Sequence, residues 1–241
     1  MSTKQNEKLE EMFRSGFHYG YSKSRRHPST TSFIFTTKNG VDIINIEKSY
    51  TLLEEALEKV SNYAASGKVI LFVGTKAESR QQVAEVALSL GMPYVNTRWI
   101  GGTLTNFIEI KKRISKLLDL REQKEKGELE KYTKKERLLI SKEMKDMTKN
   151  FQGLSTITKS PDAMVIIDSK KEKIAVAEAK KMKIPVVALL NTDCNMDSVE
   201  SPVIGNDASL SSIAFFLEQV KESYNKGQAG KTEKEEKKVE K

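Results

Sequence analysis

Three stretches of this chain carry side chains that could hold a ligand or run a reaction. The first is Phe72-Val73-Gly74-Thr75-Lys76, an apolar run that closes on a glycine, a hydroxyl and an ammonium. Such a turn at the carboxyl end of a buried strand is where doubly wound folds bind ligands. A nucleotide there needs further glycines, so that backbone N–H groups can approach the phosphates. Neither G-x-G-x-x-G nor G-x-x-x-x-G-K-[ST] occurs in the chain. The turn reads as a strand end whose Lys76 faces RNA or solvent.

The second set is the nucleophile, base and metal-ligand inventory. Cys194 is the only cysteine, and His18 and His27 are the only histidines. A catalytic thiol needs a base beside it, and neither histidine has a context that points to Cys194. A closed zinc site needs four nitrogen or sulfur ligands, which this chain does not supply. A mixed site drawing on His18 with Asp193 or Asp207 stays open on the sequence. Asp162, Asp168, Asp193 and Asp207 fall near inferred strand ends, where aspartates commonly cap loops. No catalytic residue, metal ligand or cofactor is assigned.

The third set is the strongest. No acid occurs from Ser15 to Ser32, a stretch holding Lys23, Arg25 and Arg26 with Tyr19 and Tyr21 among them; Arg14 precedes it. Arginine engages phosphate bidentately and tyrosine stacks on bases or sugars, so this pattern suits RNA. Arg98-Trp99-Ile100-Gly101-Gly102 is similar, with Trp99 as anchor and Arg98 free to reach a phosphate.

These residues need a scaffold. Leu9, Met12 and Phe13 mark a short amphipathic helix over residues 4–15. Residues 16–32 read as an irregular basic segment. Phe33–Thr37 and Val41–Ile46 flank Asn39-Gly40, a hairpin signal. A helix follows from Ser49 to Ala65. Apolar strands at Lys68–Val73, Pro93–Val95, Ala163–Ile167 and Pro185–Leu190 then alternate with helices at Gln81–Leu90 and Glu172–Met182. A last helix spans Ala208–Tyr224. Strands apolar throughout and separated by helices predict a parallel sheet covered on both faces, an α/β fold.

Residues 105–151 show no strand pattern. Phe107, Ile110, Ile114 and Leu117 repeat at helical spacing, as do Ile140, Met144, Met147 and Phe151. Thr133-Lys134-Lys135-Glu136 is a capping box. This is a helical hairpin with a narrow apolar seam, so a coiled-coil arm. It holds 14 basic and 9 acidic residues between Asn106 and Asn150, a net +5. The expected organisation is an N-terminal helix and basic segment at 1–32, an α/β domain at 33–104 and 152–225, the inserted hairpin at 105–151, and a charged tail at 226–241, disordered for lack of apolar residues.

Composition agrees. Of 241 residues, 41 are Lys or Arg and 33 are Asp or Glu, a formal charge of +8. That balance suits a polyanion. One cysteine fits a reducing compartment. The N-terminus has no apolar signal core and no apolar run is long enough to span a bilayer, so the expected location is cytoplasmic, with no membrane partner.

Taken in order, several motifs resemble the bacterial S2 family of small-subunit ribosomal proteins. They are Gly16-Phe17-His18-Tyr19-Gly20, Phe72 to Lys76, Arg98 to Phe107, Pro161-Asp162-Ala163, Ile184 to Ala188 and Gly205-Asn206-Asp207. The likeness covers roughly residues 8–225. It implies a flavodoxin-like, Rossmann-like three-layer parallel sheet with an inserted helical coiled-coil hairpin. It also implies a structural constituent of the small subunit that binds ribosomal RNA near the head–body junction. Its other partners would be neighbouring ribosomal proteins, among them the large OB-repeat protein that recruits messenger RNA. It implies no catalysis and no small-molecule substrate. Phosphate contacts are then expected at Arg14, Lys23, Arg25, Arg26, Lys76, Arg98, Lys111, Lys112 and Arg113.

The chain departs from the family twice. The tryptophan of the usual His-Gln-Thr-Arg-x-Trp-Asn-Pro is missing from Tyr21 to Pro28. The first aspartate of the usual Asp-Thr-Asn-x-Asp-Pro is Asn191. Some members place a metal between that aspartate, the Gly-Asn-Asp aspartate and the early histidine; Asn191 argues against one here, unless Asp193 compensates. The competing readings are a doubly wound enzyme binding a nucleotide or sugar phosphate at Gly74–Lys76, and an adaptor using residues 105–151 to grip a protein helix.

Overall fold

The computed structural model describes residues 3–157 and 159–239. Helix α1 (Thr3–Arg14) leads into a small antiparallel sheet of β1 (Tyr19–Ser22), β2 (Ile34–Lys38) and β3 (Val41–Ile44), ordered β1-β3-β2. Asn39 and Gly40 both take positive φ, 52° and 78°, as the hairpin signal requires. Strand β1 lies in the stretch expected to be irregular. Its pairing with β3 is long-range, and four residues broken by glycine give little local signal.

Helix α2 (Ile46–Ala65) starts on Asn45, whose Oδ1 accepts from Lys48 N at 3.1 Å. The main sheet follows: β4 (Ile70–Val73), β5 (Tyr94–Val95), β6 (Ala163–Ile167), β7 (Val186–Leu190) and β8 (Ser201–Ile204). Its order is β5-β4-β6-β7-β8 and every pairing is parallel. Renumbered within the sheet this is 2-1-3-4-5, the flavodoxin-like order. The expected fold class holds. Strand β8 was not expected, because Pro202 interrupts its apolar pattern; as an edge strand it tolerates the missing N–H.

Alternate side chains of each strand enter opposite layers. Ile70, Phe72, Val165, Ile167, Val187 and Leu189 pack under α2, α3 (Arg80–Ser89) and α7 (Leu210–Val239). Leu71, Val73, Met164, Ile166, Ala188 and Leu190 pack under α6 (Lys173–Met182) and the roots of α4 (Phe107–Glu125) and α5 (Lys134–Phe151). Those last two helices form the inserted hairpin. Ile110, Ile114, Leu117, Met147 and Phe151 are buried at its root, while Leu138 and Leu139 near its tip are exposed. Thr133 and Glu136 make the capping box at the start of α5.

Helix α7 runs to Val239, so the segment from Lys226, expected to be disordered, is helical that far; residues 240 and 241 lie outside the described residues. Lys, Glu, Gln and Ala are good helix formers, and Gly227 lets α7 cross α2 closely. A Cβ there would sit 2.2 Å from the Ser61 carbonyl oxygen.

The N-terminal segment is pinned to the far end of the chain. Thr30 Oγ1 donates to the Thr192 carbonyl at 2.9 Å, Tyr21 N donates to Thr192 Oγ1 at 2.9 Å, and Asn206 Nδ2 donates to the Gly16 carbonyl at 3.1 Å. The fully buried Phe17 ring lies over Gly205, where a Cβ would meet Cε1 at 2.2 Å and Cζ at 2.4 Å. Gly205→Ala is therefore expected to lose about 1–3 kcal/mol through forced displacement of Phe17. Thermal melting checks this, and a curve superimposable on the parent's would rule it out.

Candidate nucleic-acid interface and the cluster beneath it

Chain order reverses between β4 and β6, so the ligand crevice of this fold lies at their carboxyl ends. Four loops converge there: Gly74–Lys76 after β4, Asp168 after β6, Asn191 and Thr192 after β7, and Gly205–Asp207 after β8. The Lys76 ammonium is 2.6 Å from Asp168 Oδ2 and 2.6 Å from Asp207 Oδ2. Its side chain is only 15% exposed. The Tyr21 ring closes over it, with the hydroxyl 3.4 Å from Nζ. Asn191 Nδ2 donates to Asp207 Oδ1 at 2.9 Å. Asp168 Oδ1 accepts from the N–H groups of Lys170 and Lys171, each at 2.9 Å. Beside them the buried Glu172 carboxylate accepts from Thr75 N at 3.1 Å and from the Thr75 hydroxyl.

The charges follow from this geometry. Burial opposes the Lys76 ammonium, but Asp207 and Asp168 outweigh it and hold the lysine above its ordinary range. Burial pushes Asp207 up to about 6, with Lys76 pulling against it. Asp168 is also buried, yet Lys76 and the backbone N–H of Lys171 bring it below the usual carboxylate value. The crevice that would take a ligand is filled by the protein's own cation. Lys76, expected on phosphate, is thus turned inward.

The residues do not fit a metal. Both oxygens of Asp207 already accept, one from an ammonium and one from the Asn191 amide. Asp193 pairs with Lys170 at 2.8 Å instead of compensating. Among the described residues no group of three His, Cys, Asp or Glu side chains is placed to hold a metal ion. His18 is stacked between Phe13 and Tyr19 at centroid distances of 4.4 and 4.1 Å. Its Nδ1 is buried without a partner, and burial lowers its pKa. The Cys194 thiol is buried and pushed up to about 12 by burial and then by Asp168 and Asp193, so it is no nucleophile at neutral pH. His27 Nδ1 is engaged with Ser29 Oγ at 2.8 Å.

The outer surface is different. Arg14, Lys23, Arg25, Arg98, Lys111, Lys112 and Arg113 are exposed. Lys23, Arg25, Arg98 and Arg113 have no carboxylate partner among the described residues; Arg14 and Lys112 make exposed pairs with Glu10 and Glu109. Arg26 is the exception in the basic stretch. Its Nε donates to Asp42 Oδ2 at 2.7 Å and its Nη2 bonds Asp42 Oδ1. Bonding to Arg26, against burial, holds the Asp42 carboxyl below its usual range. Arg26, too, was expected on phosphate and is instead a buttress of the small sheet.

The Arg98 loop is held from beneath by one carboxylate. Glu178 of α6 accepts from Trp99 Nε1 (3.1 Å), Gly102 N (2.8 Å), Leu104 N (2.9 Å), Thr105 N (3.2 Å) and Thr105 Oγ1 (3.3 Å). Burial would raise its pKa, but these donors together lower it. The loop's sequence is a cage of donors around an acid, and it sets both Arg98 and the start of α4. Sequence reasoning missed Glu178 and Asp42. The signals were acids on inward faces: Glu178 follows Ala175 by three residues on α6, and Asp42 shares a strand face with Ile44.

The comparisons agree with this organisation. The family described as Ribosomal protein S2 matches residues 12–227. The chain is 40% identical over 220 residues to the small ribosomal subunit protein uS2 of Acidothermus cellulolyticus, covering 91% of this chain and 80% of the relative. It is 39% identical over 219 residues to uS2 of Nocardia farcinica, covering 91% and 77%. It is 40% identical over 220 residues to uS2 of Kocuria rhizophila, covering 91% and 77%. With the S2 match spanning the small sheet, the parallel sheet and the inserted hairpin, this chain belongs to the ribosomal protein S2 family.

Proposed function

We propose that this chain is a structural constituent of the small ribosomal subunit and not an enzyme. The observation that carries the reading is the contrast between inside and outside. The crevice where this fold would bind a substrate is closed by Lys76, Asp168, Asp207 and Asn191. Lys23, Arg25, Arg98 and Arg113, with no carboxylate partner among the described residues, face outward instead, from three separate places in the fold. That distribution suits a phosphate backbone gripped at many points with little reading of bases.

The phosphate contacts are Arg14, Lys23, Arg25, Arg98, Lys111, Lys112 and Arg113, while Lys76 and Arg26 hold the loops that present them. The partners are small-subunit ribosomal RNA and neighbouring ribosomal proteins at the head–body junction, including the OB-repeat protein that recruits messenger RNA. The hairpin acts as a coiled-coil arm and the setting is the bacterial cytoplasm. Among the described residues no helix is long and apolar enough to cross a membrane.

The test is sedimentation of cell lysate on sucrose gradients at moderate and high salt. The protein is expected with the small subunit, released in part at high salt because phosphate contacts weaken as counterions compete. Migration with the light soluble fractions at both salts would overturn the reading.

A further inference from the structure

The two broad faces of the α4–α5 hairpin differ in charge. One carries a groove of about 770 Å³ between the helices, walled by Arg121 and Lys124 of α4 and Lys145 and Lys149 of α5. Glu125 is the one acid on its lining. The opposite groove, of about 390 Å³, sets Arg113 and Lys142 against Glu143 and Asp146. The first is therefore strongly positive and the second balanced.

The positive groove is built to stay positive. Lys116 and Lys126, elsewhere on α4, are paired with Glu143 and Glu122. Lys124, Lys145 and Lys149 have no carboxylate partner among the described residues and are exposed. Arg121 Nη2 donates to Thr148 Oγ1 at 3.1 Å, which ties α4 to α5 and fixes the guanidinium in the groove with donors to spare. Cations three and four residues apart on one helix face lie side by side, and their repulsion weakens the hairpin unless an anion is laid between them. The spacing is about one helical turn on each wall, comparable to the step between neighbouring phosphates along a strand.

We infer that this groove is a track for the sugar-phosphate backbone of RNA, additional to the contacts at Lys111, Lys112 and Arg113 near the root of the hairpin. The inference rests on the reading of the chain as RNA-bound and adds a face and four residues to it. An RNA backbone fits better than an acidic protein helix, which would need an apolar seam to dock. The only apolar side chain lining the groove is Met144, beside the hydroxyls of Ser141 and Thr148.

The experiment uses the full chain and small-subunit ribosomal RNA, with binding measured from about 50 to 200 mM salt. The variant is K124Q/K145Q/K149Q, which keeps Arg121 and replaces exposed lysines by another good helix former while relieving their repulsion, so the melting temperature should not fall. Losing three phosphate contacts should lower the slope of log affinity on log salt by about 2 to 3. Over that salt range the loss of affinity then shrinks on the order of 40-fold. K173Q/K180Q/K181Q removes the same charge from α6 and should leave the slope near the parent's. A K124Q/K145Q/K149Q slope equal to the parent's would overturn the groove alone. An equal flattening in the α6 variant would overturn its location. A parent protein that binds this RNA at no salt would overturn the RNA reading itself, and the groove with it.

Discussion

Lys76→Met is expected to destabilise the protein by about 3–5 kcal/mol, the range for removing one partner of a buried ion pair. Methionine fills much of the same space, so the loss is electrostatic. It leaves Asp168 and Asp207 facing each other without the cation between them. The pH dependence separates this from a packing defect. In the parent, Asp168 sits below its ordinary value, so its contribution is present above about 4 and lost as pH falls through its folded pKa. Asp207 runs the other way: pushed up to about 6, its contribution is full below the ordinary carboxylate value and lost as pH rises through about 6. Lys76 is raised, so its contribution persists up to its ordinary value of about 10.5 and is lost only as pH rises beyond that. Without Lys76 both carboxyls are raised, and the variant is most stable when they are protonated. The gap between parent and variant should widen from pH 4 to 7. Urea unfolding at several pH values measures it, and a gap independent of pH would reject the account.

The second large effect is at Glu178. Glu178→Gln keeps the shape but turns one acceptor oxygen into an amino group facing N–H donors. Five donors converge on this carboxylate, so the substitution leaves buried N–H groups unpaired. The expected loss is about 3 kcal/mol. Trp99 is the chain's only tryptophan and one of the five donors, so its fluorescence reports on the cage directly. Emission and melting both unchanged in Glu178→Gln would mean the loop is held by something else. Because the donors hold Glu178 below its ordinary value, its contribution is present above about 4.5 and is lost as pH falls through the folded pKa.

The sequence made the parallel sheet legible because its strands are buried on both faces and read as unbroken apolar runs, as at Ala163–Ile167 and Val186–Leu190. The hairpin was legible from the capping box at Thr133 and the repeat ending at Phe151. Strands β1 and β8 were not, because each is four residues long and broken in its apolar pattern, by Gly20 in β1 and by Pro202 in β8. The site was harder. Sequence shows charge but not its direction. Lys76 and Arg26 carry the same residue types as Lys23 and Arg25, yet the first two point at buried carboxylates and the second two at solvent. What distinguishes them is Asp42, Asp168 and Asp207, which are brought close only by the fold.

The pinning of residues 16–30 to Thr192, Gly205 and Asn206 has a consequence for synthesis. The basic stretch leaves the translating ribosome first, but the groups that fix it are made some 160 to 190 residues later. At bacterial elongation rates that interval is on the order of ten seconds or more. Throughout it, the segment that carries Lys23 and Arg25 has its nearby partners on β3 but lacks the contacts to the distal loops that complete its setting. A basic segment free of acids is thus born early and receives its last anchors late.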